Sequence, residues 1–246
     1  MAASPEKSRP SAFWPLAAVV VPLVGVFARI ELRGVENLPR EGAYVLAPNH
    51  NSEFDPLVVA VAVWRAGRAP RFMAKESLFK VPVLGAALRA TGMVPVPRTS
   101  TSATQSITAA QDIARDGRGV IVYPEGTLTR DPDLWPMRGK TGAVRLALGG
   151  NLPLIPMAQW GVQQILPRYG KLRFPRRSKV IVEFGPALDL SAHTATATQP
   201  ATLTRATDEL MARLAEMLSG LRGLSAPAER WNPAQHGQNE TGRLES

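Results

Sequence analysis

Asn49-His50-Asn51-Ser52-Glu53-Phe54-Asp55-Pro56 is a polar octet set between two apolar runs. A short apolar run, Tyr44-Val45-Leu46-Ala47, precedes it, and a longer one, Leu57-Val58-Val59-Ala60-Val61-Ala62-Val63-Trp64, follows. The first run reads as a buried strand and the second, by the residues that open it, as a helix. Asp55 is expected to be the helix N-cap, with Pro56 in the first turn. His50 then stands at the exit of the strand and Asp55 at the start of the helix. A corner of this kind can bring imidazole and carboxylate within hydrogen-bond reach. The carboxylate would fix one ring tautomer and leave the other nitrogen free to take a proton. Taken alone, the octet also fits a plain polar turn with a cap, so the rest of the chain has to choose.

Working outward, Arg29-Ile30-Glu31-Leu32-Arg33 alternates as a strand does, and Gly34-Val35-Glu36-Asn37-Leu38-Pro39 links it to the strand before His50. Arg71-Phe72-Met73-Ala74-Lys75 is a further expected strand, followed by one or two short helices over 76–88, broken at Pro82 and Gly85. Residues 91–98 suit an edge strand, because Pro95 and Pro97 cannot donate to a central ladder. Val120-Ile121-Val122-Tyr123 is a buried strand ending at Pro124-Glu125-Gly126-Thr127; further strands are expected at 152–158 and 180–184. Residues 99–106 suit a loop or the polar start of a helix running to about Arg115, and helices are expected at 139–149 and at 201–222, the last with Leu203, Thr207, Leu210, Met211, Leu214, Met217, Leu218 and Leu221 at helical spacing. Strands alternating with helices predict an α/β fold: a mixed, partly parallel sheet flanked by helices, in a single domain with an N-terminal membrane-associating helix. The expected divisions are a disordered start at 1–11, an apolar helix at 12–29, the domain at 30–224 and a disordered tail at 225–246.

The apolar run from Ala12 to Phe27 carries Pro15, Pro22 and Gly25 and is closed by Arg29. A spanning helix needs roughly 20 apolar residues, so this one is short for a crossing. Val26-Phe27-Ala28-Arg29 is also a poor signal-peptidase site. A helix kinked near Pro22 that dips into one leaflet is the preferred reading, beside a buried core helix and a true span. The net charge of +9 over 246 residues calls for an anionic partner: nucleic acid, a lipid surface or a phosphorylated substrate. The basic side chains Arg65, Arg68, Arg71, Lys75, Lys80 and Arg89, and those between 168 and 179, would each add about 1 kcal/mol near an anionic leaflet. Nucleic acid fits worst, since these clusters lack interleaved aromatics and any recognisable binding motif. There is no cysteine, which excludes thiolate nucleophiles, disulfides and sulfur-ligated metals. The three histidines, His50, His193 and His236, are far apart in sequence and make no zinc motif.

Three strand ends carry polar residues after apolar runs: His50 to Asp55, Arg98, and Glu125-Gly126-Thr127. Sites in open α/β sheets gather at the carboxyl ends of strands. Side by side, these ends would combine a base, a guanidinium suited to phosphate and a glycine-opened turn with donors for an oxyanion. Arg138-Gly139-Lys140-Thr141 imitates a nucleotide-binding loop, but Leu134 stands where the earlier glycine belongs. No Gly-x-Ser-x-Gly elbow is present either, so a covalent acyl-enzyme is not expected.

This ordered set resembles the PlsC-type glycerolipid acyltransferases. Their blocks are matched by Asn49-His50 through Asp55-Pro56, Gly92 through Arg98, Tyr123-Pro124-Glu125-Gly126-Thr127, and Leu152 through Pro156. The resemblance implies direct transfer of an acyl group from a coenzyme A or carrier-protein thioester to lysophosphatidic acid, giving phosphatidic acid, with no further cofactor. It implies His50 as general base and Asp55 as its orienting partner. Arg98, Glu125, Gly126 and Thr127 would bind the acceptor, and Pro153 and Pro156 would lie toward the acyl donor. Where the family often continues Glu-Gly-Thr-Arg, Leu128 follows here; Arg130, Lys75 or Lys140 would then hold the phosphate, or the acceptor differs slightly. Backbone N–H groups near the His50 turn are the expected oxyanion donors. Glycerol 3-phosphate, another lysophospholipid or a glycolipid are alternative acceptors, and a basic lipid-binding module is the non-enzymatic alternative. The expected location is the cytoplasmic face of the cell membrane.

Overall fold

In a computed structural model of the chain, residues 7, 11–96, 103–173 and 177–239 are described. In chain order the elements are α1 (Phe13–Phe27), β1 (Ala28–Arg33), β2 (Tyr44–Pro48), α2 (Asp55–Arg65), β3 (Met73–Lys75), α3 (Pro82–Ala90), β4 (Val94–Val96), α4 (Ala103–Arg115), β5 (Gly119–Ile121), α5 (Gly142–Gly150), β6 (Leu154–Trp160), β7 (Ser178–Phe184) and α6 (Pro200–Arg222).

Five strands form one mixed sheet in the order β1-β7-β6-β2-β5, parallel throughout except for the β6–β7 pair. β2 lies inside it, and all of its side chains are buried. Strand periodicity sends Tyr44 and Leu46 to one face and Val45 and Ala47 to the other. Tyr44 and Leu46 join the core under α1 and α2, with Val24, Val58 and Ala62. Val45 and Ala47 join the core under α5 and α6, with Leu146, Leu203, Leu210 and Leu214. Burial on both faces is why this strand reads as an unbroken apolar run. The apolar stripe expected on α6 is its buried face, except that Leu221, in the last turn, is only half-buried.

β3 and β4 form a separate two-stranded parallel sheet. It hangs from the main sheet by the parallel bridge between Phe72 and Ile121. The expected second helix break at Gly85 does not occur: Pro82 opens α3, and Gly85 lies inside it. The expected tail also differs, because residues 225–239 run back over the domain. Arg230 pairs with Asp208 at 2.8 Å, the Arg138 N–H donates to the Trp231 carbonyl at 2.9 Å, and Trp231 stacks on His236 at 3.6 Å. Composition hid this, because one tryptophan and one ion pair anchor an otherwise polar segment.

Arg68 corrects the electrostatic expectation. It is only 1% exposed, donates to the carbonyls of Pro39, Gly42 and Gly117, and lies over the Tyr44 ring. This guanidinium ties three loops together and is not a lipid contact.

Candidate active site

The β2 and β5 ends are neighbours, as their parallel pairing requires, and the polar residues that follow them meet. Asp55 is the first residue of α2 and not its N-cap. Its carboxylate turns backward into the preceding corner. Oδ2 accepts from the Asn51 N–H at 2.6 Å and the Ser52 N–H at 2.9 Å, and lies 3.0 Å from His50 Nδ1. Those three donors to one oxygen make the corner, and they explain why the carboxylate does not cap the helix.

With Nδ1 donating to Asp55, a neutral His50 carries its lone pair on Nε2. The ring is stacked on Tyr123 with centroids 4.0 Å apart, and 15% of the side chain is exposed, against none of Asp55. Burial pushes the Asp55 carboxyl above its ordinary range; the His50, Ser52 and Asn51 hydrogen bonds pull it back. Burial also pushes the Tyr123 phenol well up, with the Asp55 charge adding to the effect. Tyr123 is therefore a neutral surface for the imidazole. Its place directly before Pro124-Glu125-Gly126 was the available sign of this role.

Glu125 is fully buried and bridges two segments. Oε1 accepts from the His50 N–H at 3.0 Å and Oε2 from the Met137 N–H at 3.1 Å. The Thr129 N–H returns to the His50 carbonyl at 2.8 Å. Burial raises the Glu125 carboxyl to about 8, against the pull of its backbone donors. The residue is thus a brace for the backbone of His50, where an acceptor-binding role had been expected. Gly126 does take the left-handed conformation the turn needs, with φ of +70°. The Lys140 side chain lies over it: a Cβ on Gly126 would stand 3.1 Å from Lys140 Cδ. Thr127 is half-buried beside them.

The expected oxyanion donors are occupied. The N–H groups of His50, Asn51 and Ser52 serve Glu125 and Asp55, and that of Phe54 serves the Ser52 hydroxyl. The remaining predicted residues separate clearly. Leu128 is buried, and Arg130, 1% exposed, donates from Nη1 to the Tyr169 hydroxyl at 2.7 Å. Lys140 is exposed, on the rim of the Gly126 turn. Pro153 and Pro156 belong to the interior of the sheet: the Pro153 carbonyl accepts from the Val45 N–H, and Pro156 sits opposite Ala47 within β6, between β7 and β2. Lys75 closes β3, and Arg98 lies outside the described residues.

Several supporting residues escaped the sequence reading. Asn49 and Gln159 bond each other's backbones, with the Gln159 N–H donating to Asn49 Oδ1 at 2.8 Å, and lock the end of β2 to the end of β6. The Ser52 hydroxyl donates to the Leu166 carbonyl at 2.6 Å. Arg168 had been assigned to a lipid-facing basic stretch; it clamps the carbonyls of Thr129 and Asp131. A polar residue buried at a strand end was the one available sign, at Asn49 and Gln159. Behind Glu125, a cleft of about 710 Å³ opens between Gly139–Thr141, α6 and Arg230. His50 is not among its walls.

Residues 29–160 match the family model described as Acyltransferase. A chloroplastic 1-acyl-sn-glycerol-3-phosphate acyltransferase of Brassica napus is 29% identical over 143 residues, which are 57% of this chain and 40% of the relative. The chain therefore spans less than half of that protein. A 1-acyl-sn-glycerol-3-phosphate acyltransferase of Bacillus subtilis is 28% identical over 194 residues, covering 78% of this chain and 91% of the relative. The crystal structure of the 1-acyl-sn-glycerophosphate (LPA) acyltransferase PlsC from Thermotoga maritima superposes with a TM-score of 0.63 at 22% identity, covering 89% of this chain and 80% of that one. At that identity the likeness speaks for the fold.

Proposed function

The chain belongs to the acyltransferase family, and from that premise we propose that it moves a fatty acyl group from a thioester to the free hydroxyl of a 1-acylglycerol 3-phosphate. The observation that carries this reading is the His50–Asp55 contact at 3.0 Å, with Nε2 left as the basic nitrogen. An alcohol is a weak nucleophile at neutral pH, so its proton has to leave as the new bond forms. His50 Nε2 takes that proton while the hydroxyl oxygen attacks the thioester carbonyl. The tetrahedral intermediate then expels the thiolate, which recovers the proton from the imidazolium. An ester C–O bond forms, the C–S bond breaks, and the enzyme returns to its starting state. General-base assistance of this type contributes about 10²–10⁴-fold, and alignment of the two substrates supplies more.

The donor is a coenzyme A or carrier-protein thioester. Lys140, on the rim of the Gly126 turn, together with Arg98 and Lys75, supplies the cations for the acceptor phosphate; Arg130 is too buried for this. Leu128 also supports a second reading, in which the acceptor is another lysophospholipid, a glycolipid or glycerol 3-phosphate itself. The enzyme works at the cytoplasmic face of the cell membrane, resting on α1. That helix buries Phe13 and Val24 and exposes Trp14, Leu16, Val19, Leu23 and Val26. No helix among the described residues is long and apolar enough to cross a membrane.

A panel of acceptors given to the purified protein tests the reading. Phosphatidic acid should be formed from 1-acylglycerol 3-phosphate by the unaltered protein and not by His50→Ala. Activity confined to acceptors other than 1-acylglycerol 3-phosphate would replace the leading reading with the second.

A further inference from the structure

Eleven large apolar side chains stand exposed among the described residues: five on α1, Leu172, Leu224, and a group of four at Leu78, Val81, Val83 and Leu84. The four sit at the tip of the β3–β4 excursion, and Val83 is 85% exposed. Contiguous exposed apolar surface of this kind marks an interaction site.

The tip is built so that these side chains stay outside. A Cβ on Gly85 would stand 2.1 Å from the Phe79 carbonyl oxygen, so only glycine lets α3 lie this close to the preceding turn, Glu76–Lys80. The Arg89 guanidinium then donates to that same carbonyl at 2.7 Å and fastens the turn. Charge limits what can cover the surface. Lys80 and Arg89 flank the tip, and Glu76 is the one acid between residues 72 and 96. An apolar tip inside a basic collar matches a bilayer with anionic headgroups.

Its attachment matters equally. Met93, just before β4, packs with Phe13 at the start of α1 and with Trp64 at the end of α2. Phe72, just before β3, lies 6.4 Å from Tyr123, which stacks on His50. The excursion is thus rooted between the exposed helix and the catalytic ring.

We propose that Leu78, Val81, Val83 and Leu84 insert among the headgroups of an anionic bilayer, as a second membrane contact beside α1. The two contacts together would set the catalytic corner against the surface from which a lipid acceptor is drawn. This rests on the lipid-acceptor reading above.

Because the chain has no cysteine, a single Val83→Cys accepts an environment-sensitive thiol label at one site. Glu216→Cys, on the far helix α6, is the reference. On vesicles of phosphatidylcholine with phosphatidylglycerol, the label at 83 should shift to the blue and that at 216 should not. In unlabelled protein, Val83→Asp with Leu84→Asp should weaken vesicle binding about tenfold or more. Transfer to a short-chain, water-soluble acceptor should be unchanged. A label at 83 that keeps its aqueous spectrum, whether the protein binds vesicles or not, would overturn the proposal. So would a blue shift that grows with protein concentration in the absence of vesicles, which would assign the tip to a second copy. A blue shift on vesicles in a protein that acylates no lysolipid would sustain the contact and reject the acceptor reading instead.

Discussion

Between Asn49 and Asp55 the chain turns its polar groups onto itself, whereas between Glu76 and Ala90 it leaves apolar side chains in solvent. In the first region the amides of His50, Asn51 and Ser52 all have carboxylate acceptors, and Glu125 and Asp55 are entirely buried. In the second, Leu78, Val81, Val83 and Leu84 are all exposed. On the readings proposed above, the difference follows from what each region would meet. Proton transfer needs groups already oriented before substrate arrives. A lipid surface needs apolar area presented outward, held by a stiff support.

The sharpest way to break this comparison is His50→Ala. Turnover in the acyl-transfer assay should fall about 10²–10⁴-fold, with vesicle binding unchanged in a sedimentation assay. Asp55→Asn comes next. It keeps the side-chain shape but removes the carboxylate that fixes the Nδ1–H tautomer, so kcat should fall roughly 10²-fold. A kcat within a factor of two of the unaltered protein would reduce the carboxylate to a turn former.

Arg68→Met tests whether a basic residue can matter without touching lipid. Loss of its three carbonyl contacts should cost about 2 kcal/mol in denaturant unfolding. The salt dependence of vesicle binding should stay the same. Val19→Ser with Leu23→Ser on α1 should do the reverse, weakening vesicle binding about tenfold while leaving the unfolding midpoint in place.

The smallest effect concerns pH. Glu125 rises from 4.5 to about 8 in the fold, so the folded protein binds its proton more tightly than the unfolded chain. The stability this contributes is complete below the unfolded value of 4.5 and is lost as pH rises through about 8. Glu125→Gln should flatten the fall of Tm across that window, although its amide can accept only one of the two N–H groups and lowers Tm at every pH. An unchanged slope would show that Glu125 is ionised when buried.

Local pattern anticipated the His50–Asp55 contact because the spacing of the two residues does the work. Five positions separate His50 from Asp55, and a strand–turn–helix corner has little freedom over such a distance. The same holds for Glu125 and Gly126, which follow a strand paired to β2. What Glu125 does was not legible. An acid in a Pro-Glu-Gly turn suggests a ligand, yet its two acceptors meet His50 and Met137, 75 and 12 residues away. Arg68 and Arg168 were misjudged for a related reason: charge is read from composition, but burial depends on which carbonyls the fold brings alongside.

By itself, then, the sequence determined the α/β alternation, the doubly buried central strand and the His50–Asp55 pairing, because periodicity and short-range spacing encode them. The tertiary structure alone decided that Tyr123 carries the imidazole, that Glu125 braces the backbone, that the nearby amides are occupied, and that residues 225–239 fold back. Each of those depends on contacts between distant segments, and the direction of a side chain at such a meeting is set by packing from both sides.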